Sequence, residues 1–182
     1  MCGINGLTWK DEALAARMNA ATRHRGPDDT GLWSDDAVTL GHCRLSIIDL
    51  SPRGHQPMSN EDGSLWIVYN GEVYNFAPIR DELVAAGHRF RSRTDTEVIL
   101  HAWEQWGPAC LDRFNGMWAF ALYDRTRRQV TLVRDRFGIK PLYWHAGPRG
   151  LAFSSMIAGL LAAGAERRPN DRAVMQMLAF NL

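Results

Sequence analysis

The chain has 182 residues, of which 46% are hydrophobic and 23% are charged, and its formal net charge is +1. This composition is typical of a globular protein with one compact domain or two small ones, and it excludes a disordered chain. The near-neutral charge gives no electrostatic argument for a nucleic acid or an anionic membrane as the partner.

The first third of the chain alternates between regular elements and connections. The hydrophobic pattern predicts a strand over 2–8 and a helix over 11–22, which has an acidic first turn. A loop is expected over 23–31, where Gly-Pro and an Asp pair follow each other. Residues 38–50 predict a strand that runs into a second extended piece, and 51–64 form a long polar connection.

The middle of the chain predicts a hairpin followed by two helices. Residues 65–75 indicate two short strands that meet at Asn70-Gly71, because both residue types tolerate positive φ. A helix is expected over 77–88, with Gly87 at its end. Another amphipathic helix is expected over 95–106, with Asp95 or Thr96 near its N-cap.

The last third predicts four strands and two helices. The strands are expected to form one antiparallel meander, with the sequences GMWAFALYD, QVTLVRD, PLYWHAG and GLAFSS. The helices are SMIAGLLAAG and DRAVMQMLAF. Two antiparallel sheets packed face to face, with helices outside, would bury the apolar side of every element, so the expected class is an α+β four-layer sandwich.

Cysteine usage and the N-terminus predict a cytoplasmic protein. No stretch approaches the about 20 apolar residues of a membrane helix. Charged residues at 10–12 interrupt the place where a signal peptide would stay apolar. The chain has three cysteines, Cys2, Cys43 and Cys110. This odd number favours a reducing compartment and a protein without structural disulfides. A metal site built from His24, His42 and Cys43 is not expected, since their spacing is unlike that of zinc ligands.

Cys2 is the first candidate for chemistry. Methionine is normally removed before a small second residue, which leaves one residue carrying both a thiol and a free α-amine. An α-amine with a pKa of about 7.7–8.0 is partly neutral near pH 7 and can act as a base. An N-terminal amine is a known activator of a nucleophile. By itself, a cysteine at position 2 is more often accidental.

Seven segments closely resemble the N-terminal glutaminase domain of glutamine-hydrolysing asparagine synthetases. They are MCGINGL, RHRGPDD, GHCRLSIIDLSPRGHQPM, YNGEVYNF, TDTEVIL, RFNGMWAFALYD and RDRFGIKPLYW. The resemblance extends from Cys2 to about Ser155. It implies a class II glutamine amidotransferase with the αββα N-terminal-nucleophile fold. Residues 2–160 are then the amidotransferase domain, and 161–182 are a helical segment leading toward a synthetase domain that is absent from this chain.

The resemblance assigns roles to residues on several loops. Cys2 is the nucleophile, and the Asn70 side chain and the Gly71 backbone N–H form the oxyanion hole. The glutamine pocket is lined by a run of backbone and by acidic groups. These substrate-binding residues are Arg44, Leu45, Ser46, Ile47, Ile48, Asn70, Gly71, Glu72 and Asp95. Arg44 suits the α-carboxylate because a planar guanidinium can bind both oxygens. Asp95, with Glu72 nearby, would bind the α-ammonium.

Each assignment has a simpler structural alternative. Arg44 could be a solvated charge at a strand end, Asn70-Gly71 an ordinary hairpin turn, and Asp95 a helix cap. His24, Arg25 and Asp28 in RHRGPDD are interpreted as positioning residues.

The resemblance implies L-glutamine as substrate, a synthetase domain in cis or in trans as partner, and a homodimer as a further possibility. The glutaminase reaction needs no cofactor or metal, whereas ATP and Mg are implied for the synthetase. The chain is expected to be a fragment or a separate subunit. Where relatives often carry Ser-Glu-Ile-Lys, this chain has Ser155-Met156-Ile157-Ala158, which leaves the acceptor open. Two alternatives remain: a glutaminase serving a peptide or secondary metabolite, and a non-catalytic regulatory domain.

Overall fold

The computed structural model describes residues 1–180, which contain nine strands and five α-helices. The strands are β1 Gly3–Leu7, β2 Asp29–Ser34, β3 Thr39–Arg44, β4 Met58–Ser59, β5 Leu65–Val73, β6 Gly116–Asp124, β7 Gln129–Arg134, β8 Tyr143–Gly147 and β9 Gly150–Ser154. The helices are α1 Glu12–Thr22, α2 Phe76–Ala85, α3 Asp95–Trp106, α4 Ile157–Ala162 and α5 Asp171–Phe180. Within this part of the chain, no helix is long and apolar enough to cross a membrane.

The strands form two antiparallel sheets. The first has the order β2-β3-β1-β9-β8, and the second has the order β4-β5-β6-β7. In the first sheet Ile4 lies opposite His42, and in the second Asn70 lies opposite Ala119. The N-terminal strand is therefore central in its sheet, and its first residue, Gly3, pairs with Cys43 of β3.

The two sheets pack face to face because alternate residues of each strand are apolar on that side. The shared core combines Ile4 and Phe153 of the first sheet with Val68, Ala121 and Tyr123 of the second. Trp33 and Trp66 stack with their ring centroids 4.0 Å apart. This contact brings β2 and β5 together across the two sheets.

Helices cover the outer face of each sheet. On the first sheet, Leu14 and Met18 of α1 and Leu160 of α4 pack against Leu7. On the second sheet, residues of α2 and α3 pack against the remaining side chains of β5 and β6. The order of layers is therefore helix, sheet, sheet, helix, and the predicted αββα sandwich is confirmed.

The predicted hairpin at Asn70-Gly71 is wrong. β5 is one continuous strand whose residues pair in register with β6 from Leu65–Asp124 to Val73–Gly116. Asn-Gly permits a turn but does not require one, and here the strand pairing prevails. Gly71 has another purpose, since a Cβ at this position would overlap the backbone carbonyl of Met117. The glycine lets β5 and β6 approach each other beside the pocket.

The predicted four-stranded meander is also wrong. β6 and β7 extend the second sheet, whereas β8 and β9 join the first. The connection over 135–142 therefore crosses from one sheet to the other. Its carboxylate Asp135 accepts backbone hydrogen bonds from Phe137, Ile139 and Lys140, which hold the crossing in shape.

Smaller differences concern the loops. The segment 23–31 includes a 3₁₀ turn and the start of β2, a strand that the loop signals concealed. No strand continues beyond Arg44 in the described structure of 45–50. The five helices lie close to the predicted ranges. All residues of α5 are exposed, and the division of the chain at 160 stays a prediction. Positions 181–182 of that predicted segment lie outside the described residues.

Candidate active site

A cavity of about 160 Å³ opens where β1 begins, at one end of the gap between the sheets. Its walls come from the N-terminus, the loop after β3, the middle of β5, and the start of α3. Nine of the ten predicted site residues line it, namely Cys2, Arg44, Leu45, Ile47, Ile48, Asn70, Gly71, Glu72 and Asp95. The structure therefore brings together residues that are up to 93 positions apart in the sequence.

Cys2 is held against the loop after β3. The backbone N–H of Leu45 lies 3.4 Å from its Sγ, and the Leu45 carbonyl oxygen lies 3.7 Å from the same atom. Burial raises the pKa of the Cys2 thiol, while the Leu45 N–H and the neighbouring α-amine lower it. A base must therefore assist ionisation of this thiol near pH 7.

The chain terminus supplies a suitable base. The α-amine of Met1 lies beside Cys2, and partial burial lowers its pKa below the usual value. A lowered amine pKa increases the neutral, proton-accepting fraction at pH 7. In a chain without Met1, the corresponding amine would belong to Cys2 itself.

Asn70 places its side chain on the inter-sheet side of β5, the side that also carries Val68. The residue is only 1% exposed. Within residues 1–180, its Nδ2 is buried and has no hydrogen-bond partner. A buried amide donor without a partner is destabilising unless a ligand accepts from it. Because Asn70 also lines the cavity, one of the cavity walls contains an amide donor that has no partner among the described residues.

Arg44 is buried at the end of β3, and its guanidinium reaches the 49–54 loop. It donates to the carbonyl oxygens of Ser51, at 2.9 Å, and Asp49. A Cβ on Gly54 would overlap the guanidinium, so the glycine makes room for it. These contacts fix the plane of the guanidinium and leave further N–H donors for a ligand.

Asp95 is the first residue of α3, and Thr94, not Asp95, caps the helix by accepting from the Glu97 N–H. The Asp95 Oδ2 accepts from the Tyr69 hydroxyl at 2.7 Å and from the Val73 N–H at 3.0 Å. Burial raises the pKa of the Asp95 carboxyl above 3.8, and these hydrogen bonds oppose the shift. A cationic ligand would stabilise the ionised form further.

Ser46 is the exception among the predicted residues. It lines a neighbouring surface recess with Asp28, and its backbone N–H donates to the Asp28 carboxylate at 2.8 Å. Asp28 also donates its own N–H to the Arg44 carbonyl oxygen at 3.0 Å. Asp28 thus holds both ends of the segment Arg44–Ser46, whose central residue contacts Cys2.

The cavity is also lined by residues that were not predicted from the sequence, among them Tyr69, Gln56 and Lys140. Tyr69 donates to Asp95, and Gln56 accepts from the Tyr69 backbone N–H at 2.7 Å. Lys140 is 4% exposed, and its Nζ lies 2.8 Å from the Met1 sulfur. Burial lowers the pKa of Lys140. These three residues lie within YNGEVYNF, GHQPM and RFGIKPLYW, which are segments of the resemblance. The sequence did not show that their side chains point toward the cavity.

The His24, His42 and Cys43 trio does not form a metal cluster in the described structure. Nε2 of His42 lies 3.1 Å from the Tyr69 carbonyl oxygen, and complete burial lowers the His42 pKa to about 3. Cys43 donates to the Asn19 carbonyl oxygen. Cys2, Cys43 and Cys110 are all free thiols.

Comparison with solved structures defines the class of fold. The glutamine phosphoribosylpyrophosphate amidotransferase from Bacillus subtilis superimposes with a TM-score of 0.77 and 18% sequence identity, over 91% of this chain and 44% of that chain. A structure described as the allosteric regulatory enzyme of purine biosynthesis gives a TM-score of 0.75 at 22% identity, over 90% of this chain and 44% of that one. The fold is that of the N-terminal-nucleophile amidotransferases.

Sequence comparison identifies the family. Residues 1–182 match the glutamine amidotransferase domain, and the chain belongs to that family. Asparagine synthetases [glutamine-hydrolyzing] 3 and 1 of Bacillus subtilis are 38% and 36% identical, over 89% and 99% of this chain. Amidase chry2 of Gibberella zeae is 40% identical over 79% of it. The chain spans only 28%, 30% and 22% of these relatives' lengths.

Proposed function

We propose that the chain is the glutaminase part of a glutamine-hydrolysing asparagine synthetase, with Cys2 as the nucleophile. The carrying observation is that Cys2 lines the same cavity as Asn70, whose buried Nδ2 has no hydrogen-bond partner within residues 1–180. A nucleophile and a preorganised donor are the two groups that attack on an amide carbonyl requires.

The charges of the cavity suit free glutamine. Arg44 offers a cation for the α-carboxylate, and Asp95 and Glu72 offer anions for the α-ammonium. Their separation within one small cavity would orient the side-chain amide of glutamine toward Cys2. We infer that Tyr69 keeps Asp95 in place and that the 49–54 loop does the same for Arg44.

The inferred reaction begins after Met1 is removed. The Cys2 α-amine takes the thiol proton, and the thiolate attacks the side-chain carbonyl carbon of glutamine. Asn70 Nδ2 and the Gly71 N–H stabilise the tetrahedral oxyanion. The α-ammonium returns its proton to the leaving nitrogen as the C–N bond breaks. Ammonia departs and a γ-glutamyl thioester remains.

Water completes the cycle. The free amine takes a proton from water, which attacks the thioester carbonyl through a second oxyanion. The C–S bond breaks, glutamate is released, and the Cys2 thiol regains its proton. The net reaction converts glutamine and water into glutamate and ammonia. The protein groups alone balance this reaction, so we infer that the glutaminase step itself uses no cofactor.

The partner is inferred to be a synthetase domain, in cis or in trans, that uses ATP and Mg to activate aspartate. Exposed apolar side chains on α5 and on the segment from β7 to α4 support this inference, because a partner domain could cover them. They include Phe137, Ile139, Trp144, Ile157, Met175, Leu178 and Phe180. The free thiols favour the cytoplasm as location. A homodimer stays a prediction, which sedimentation of the purified chain would test.

A second candidate function keeps the glutaminase and changes the acceptor. The relative named Amidase chry2 shows that this domain family is not confined to proteins named asparagine synthetase. The Met156 and Ala158 positions also lack the charges common at this boundary. Incubating the complete protein with ATP, glutamine and either aspartate or a panel of carboxylates separates the two, since only the first candidate makes asparagine.

Ammonia release from L-glutamine tests the proposal itself. The purified chain should produce glutamate and ammonia in equal amounts, and Cys2→Ala should reduce the rate to the uncatalysed background. The Cys110→Ala variant is the matched control, because this thiol is buried in the core away from the cavity. Equal rates for the wild type and Cys2→Ala would contradict the proposal.

A further inference from the structure

A second cluster of polar side chains lies on α3, about two turns beyond Asp95. His101 and Glu104 are one turn apart on this helix, and His88 comes from the connection between α2 and α3. His88 Nδ1 lies 3.2 Å from His101 Nδ1, and Glu104 Oε2 lies 2.7 Å from His101 Nδ1 and 3.6 Å from His88 Nδ1. Within residues 1–180, this is the group whose ligand atoms converge closely enough to hold a metal ion.

The distances match those between ligands of one ion. Zinc bonds to imidazole nitrogen and carboxylate oxygen are about 2.0–2.2 Å long. Tetrahedral ligand atoms at such bond lengths are about 3.3 Å apart. The three measured separations fall on both sides of that value, so a single ion can reach all three atoms.

Hydrogen-bond direction also favours a cation between these groups. His88 Nε2 lies 3.0 Å from Gln105 Oε1, an acceptor, so this ring nitrogen carries the hydrogen. In the neutral ring, Nδ1 of His88 is then a lone pair aimed at His101. Nδ1 of His101 faces both that lone pair and the Glu104 carboxylate. One N–H cannot serve both acceptors well, whereas a divalent cation satisfies all three atoms.

Outer contacts orient each of the three groups. Gln105 sets the tautomer of His88, and Asn60 donates to Glu104 Oε1 at 2.7 Å. Nε2 of His101 is buried without a hydrogen-bond partner in the described residues, and it faces Glu61 at 3.7 Å and Glu97 at 3.9 Å. Small shifts would let a metal-bound imidazole donate to either carboxylate. Supporting shells of this kind are typical of metal-ligating histidines.

We propose that His88, His101 and Glu104 form a zinc site, with water as the fourth ligand. Two imidazoles and one carboxylate are a donor set that zinc accepts. His88 and Glu104 are partly exposed, with 18% and 24% of their side-chain surfaces accessible, which leaves an open position for water. The ion fastens the α2–α3 connection to α3, the helix that begins with Asp95. The sequence predicted no metal site, so this proposal is separate from the glutaminase chemistry.

Zinc retention by the full chain tests the proposal. The protein carries Cys2→Ser to remove a competing thiol, is stripped with a chelator, equilibrated with Zn²⁺, desalted and assayed for metal. We expect one zinc per chain, and His88→Gln or Glu104→Gln should bind it at least about 100-fold more weakly. Gln105→Ala, which removes an outer partner, should weaken binding about 10–100-fold. His145→Gln, an exposed histidine on β8, should bind like the parent.

Thermal unfolding gives a second readout. Zinc at about 100 times its dissociation constant should raise the unfolding midpoint of the parent by roughly 5–10 °C, and it should leave that of His88→Gln unchanged. Circular dichroism before metal addition establishes that each variant is folded. A parent that retains no zinc, or a folded His88→Gln that retains as much as the parent, would overturn the proposal and leave a hydrogen-bonded cluster held by a proton.

Discussion

The Tyr69 hydroxyl donates to the Asp95 carboxylate at 2.7 Å, and so joins the middle of β5 to the first residue of α3. Tyr69 immediately precedes Asn70, whose side chain points to the opposite face of the same strand. One dipeptide thus supplies both the support for Asp95, the acid proposed to bind the ammonium, and the proposed oxyanion donor. This arrangement links the outer core of the second sheet to the geometry of the cavity.

Removing the Tyr69 hydroxyl should weaken substrate binding and the fold together. Tyr69→Phe leaves a buried carboxylate short of one donor, which costs about 1.5–3 kcal/mol in the free energy of unfolding. We expect KM for glutamine to rise several-fold with kcat nearly unchanged. Denaturant titration and steady-state kinetics measure the two effects. Tyr74→Phe, at an exposed position, should alter neither quantity, and a Tyr69→Phe protein with wild-type KM and stability would refute the support role.

Truncating Asn70 should affect turnover. Asn70→Ala removes one proposed oxyanion donor, so kcat for glutamine hydrolysis should fall by about 100–1000-fold. The fold should tolerate the change, because the lost donor has no partner in the described structure. Asn115→Ala changes an exposed residue and serves as the control. A loss confined to KM would mean that Asn70 contributes to ground-state binding only.

Replacing Arg44 by lysine should act mainly on KM. A point charge takes the place of a two-pronged donor, and the contacts with Asp49 and Ser51 are also lost. We expect KM for glutamine to rise at least about tenfold, which corresponds to about 1.4 kcal/mol of binding free energy. Arg53→Lys changes an exposed residue of the same loop and should keep KM. An unchanged KM in Arg44→Lys would count against the carboxylate contact.

The Asp95 carboxylate should be needed for glutamine binding, but it should lower the stability of the fold at neutral pH. Burial raises the pKa of this carboxyl in the folded chain above 3.8, so the folded state binds the proton more tightly than the unfolded state. Its contribution to stability therefore falls as pH rises through the window that begins near 3.8, and at pH 7 the ionised group is a net burden. Asp95→Asn should remove this burden and flatten the pH dependence.

The same Asp95→Asn variant should bind glutamine poorly. Loss of the anion proposed to face the α-ammonium is expected to reduce kcat/KM by about 30-fold or more, or about 2 kcal/mol. Unfolding midpoints of the wild type and the variant between pH 4 and 7, together with glutaminase kinetics at pH 7, test both statements. Unchanged glutaminase kinetics would show that Asp95 does not bind the substrate. A variant that is less stable than the wild type at pH 7 would contradict the stability argument.

The sequence was sufficient to predict the four layers of the fold and half of the residues that line the cavity. The nearly continuous apolar runs LWIVY and GMWAFALYD mark strands that are apolar on both faces, which requires a layer on each side. The bounds of the helix over 95–106 were predicted to the residue, but its N-cap is Thr94 and not Asp95 or Thr96, as the sequence suggested. The segments near Cys2, Arg44, Asn70 and Asp95 carried the resemblance, and the structure places all four residues around one cavity.

Strand pairing could not be predicted in the same way. Asn70-Gly71 has the local chemistry of a turn, yet pairing with β6 over nine residues overrides it. The four C-terminal strands look alike in sequence, and nothing local shows that β8 and β9 belong to the other sheet. Side-chain direction was equally hidden at Tyr69 and Lys140, because it depends on which strand face meets which layer.

The intact mass of the mature chain, before and after reaction with a glutamine analogue that carries an electrophilic carbon in place of the side-chain amide, tests the central claim most directly. We predict that the protein lacks Met1, that it gains the mass of one analogue, and that peptide mapping places the adduct on Cys2. The buried thiols Cys43 and Cys110 serve as internal controls. Retention of Met1, or an adduct on a residue other than Cys2, would contradict the proposed mechanism.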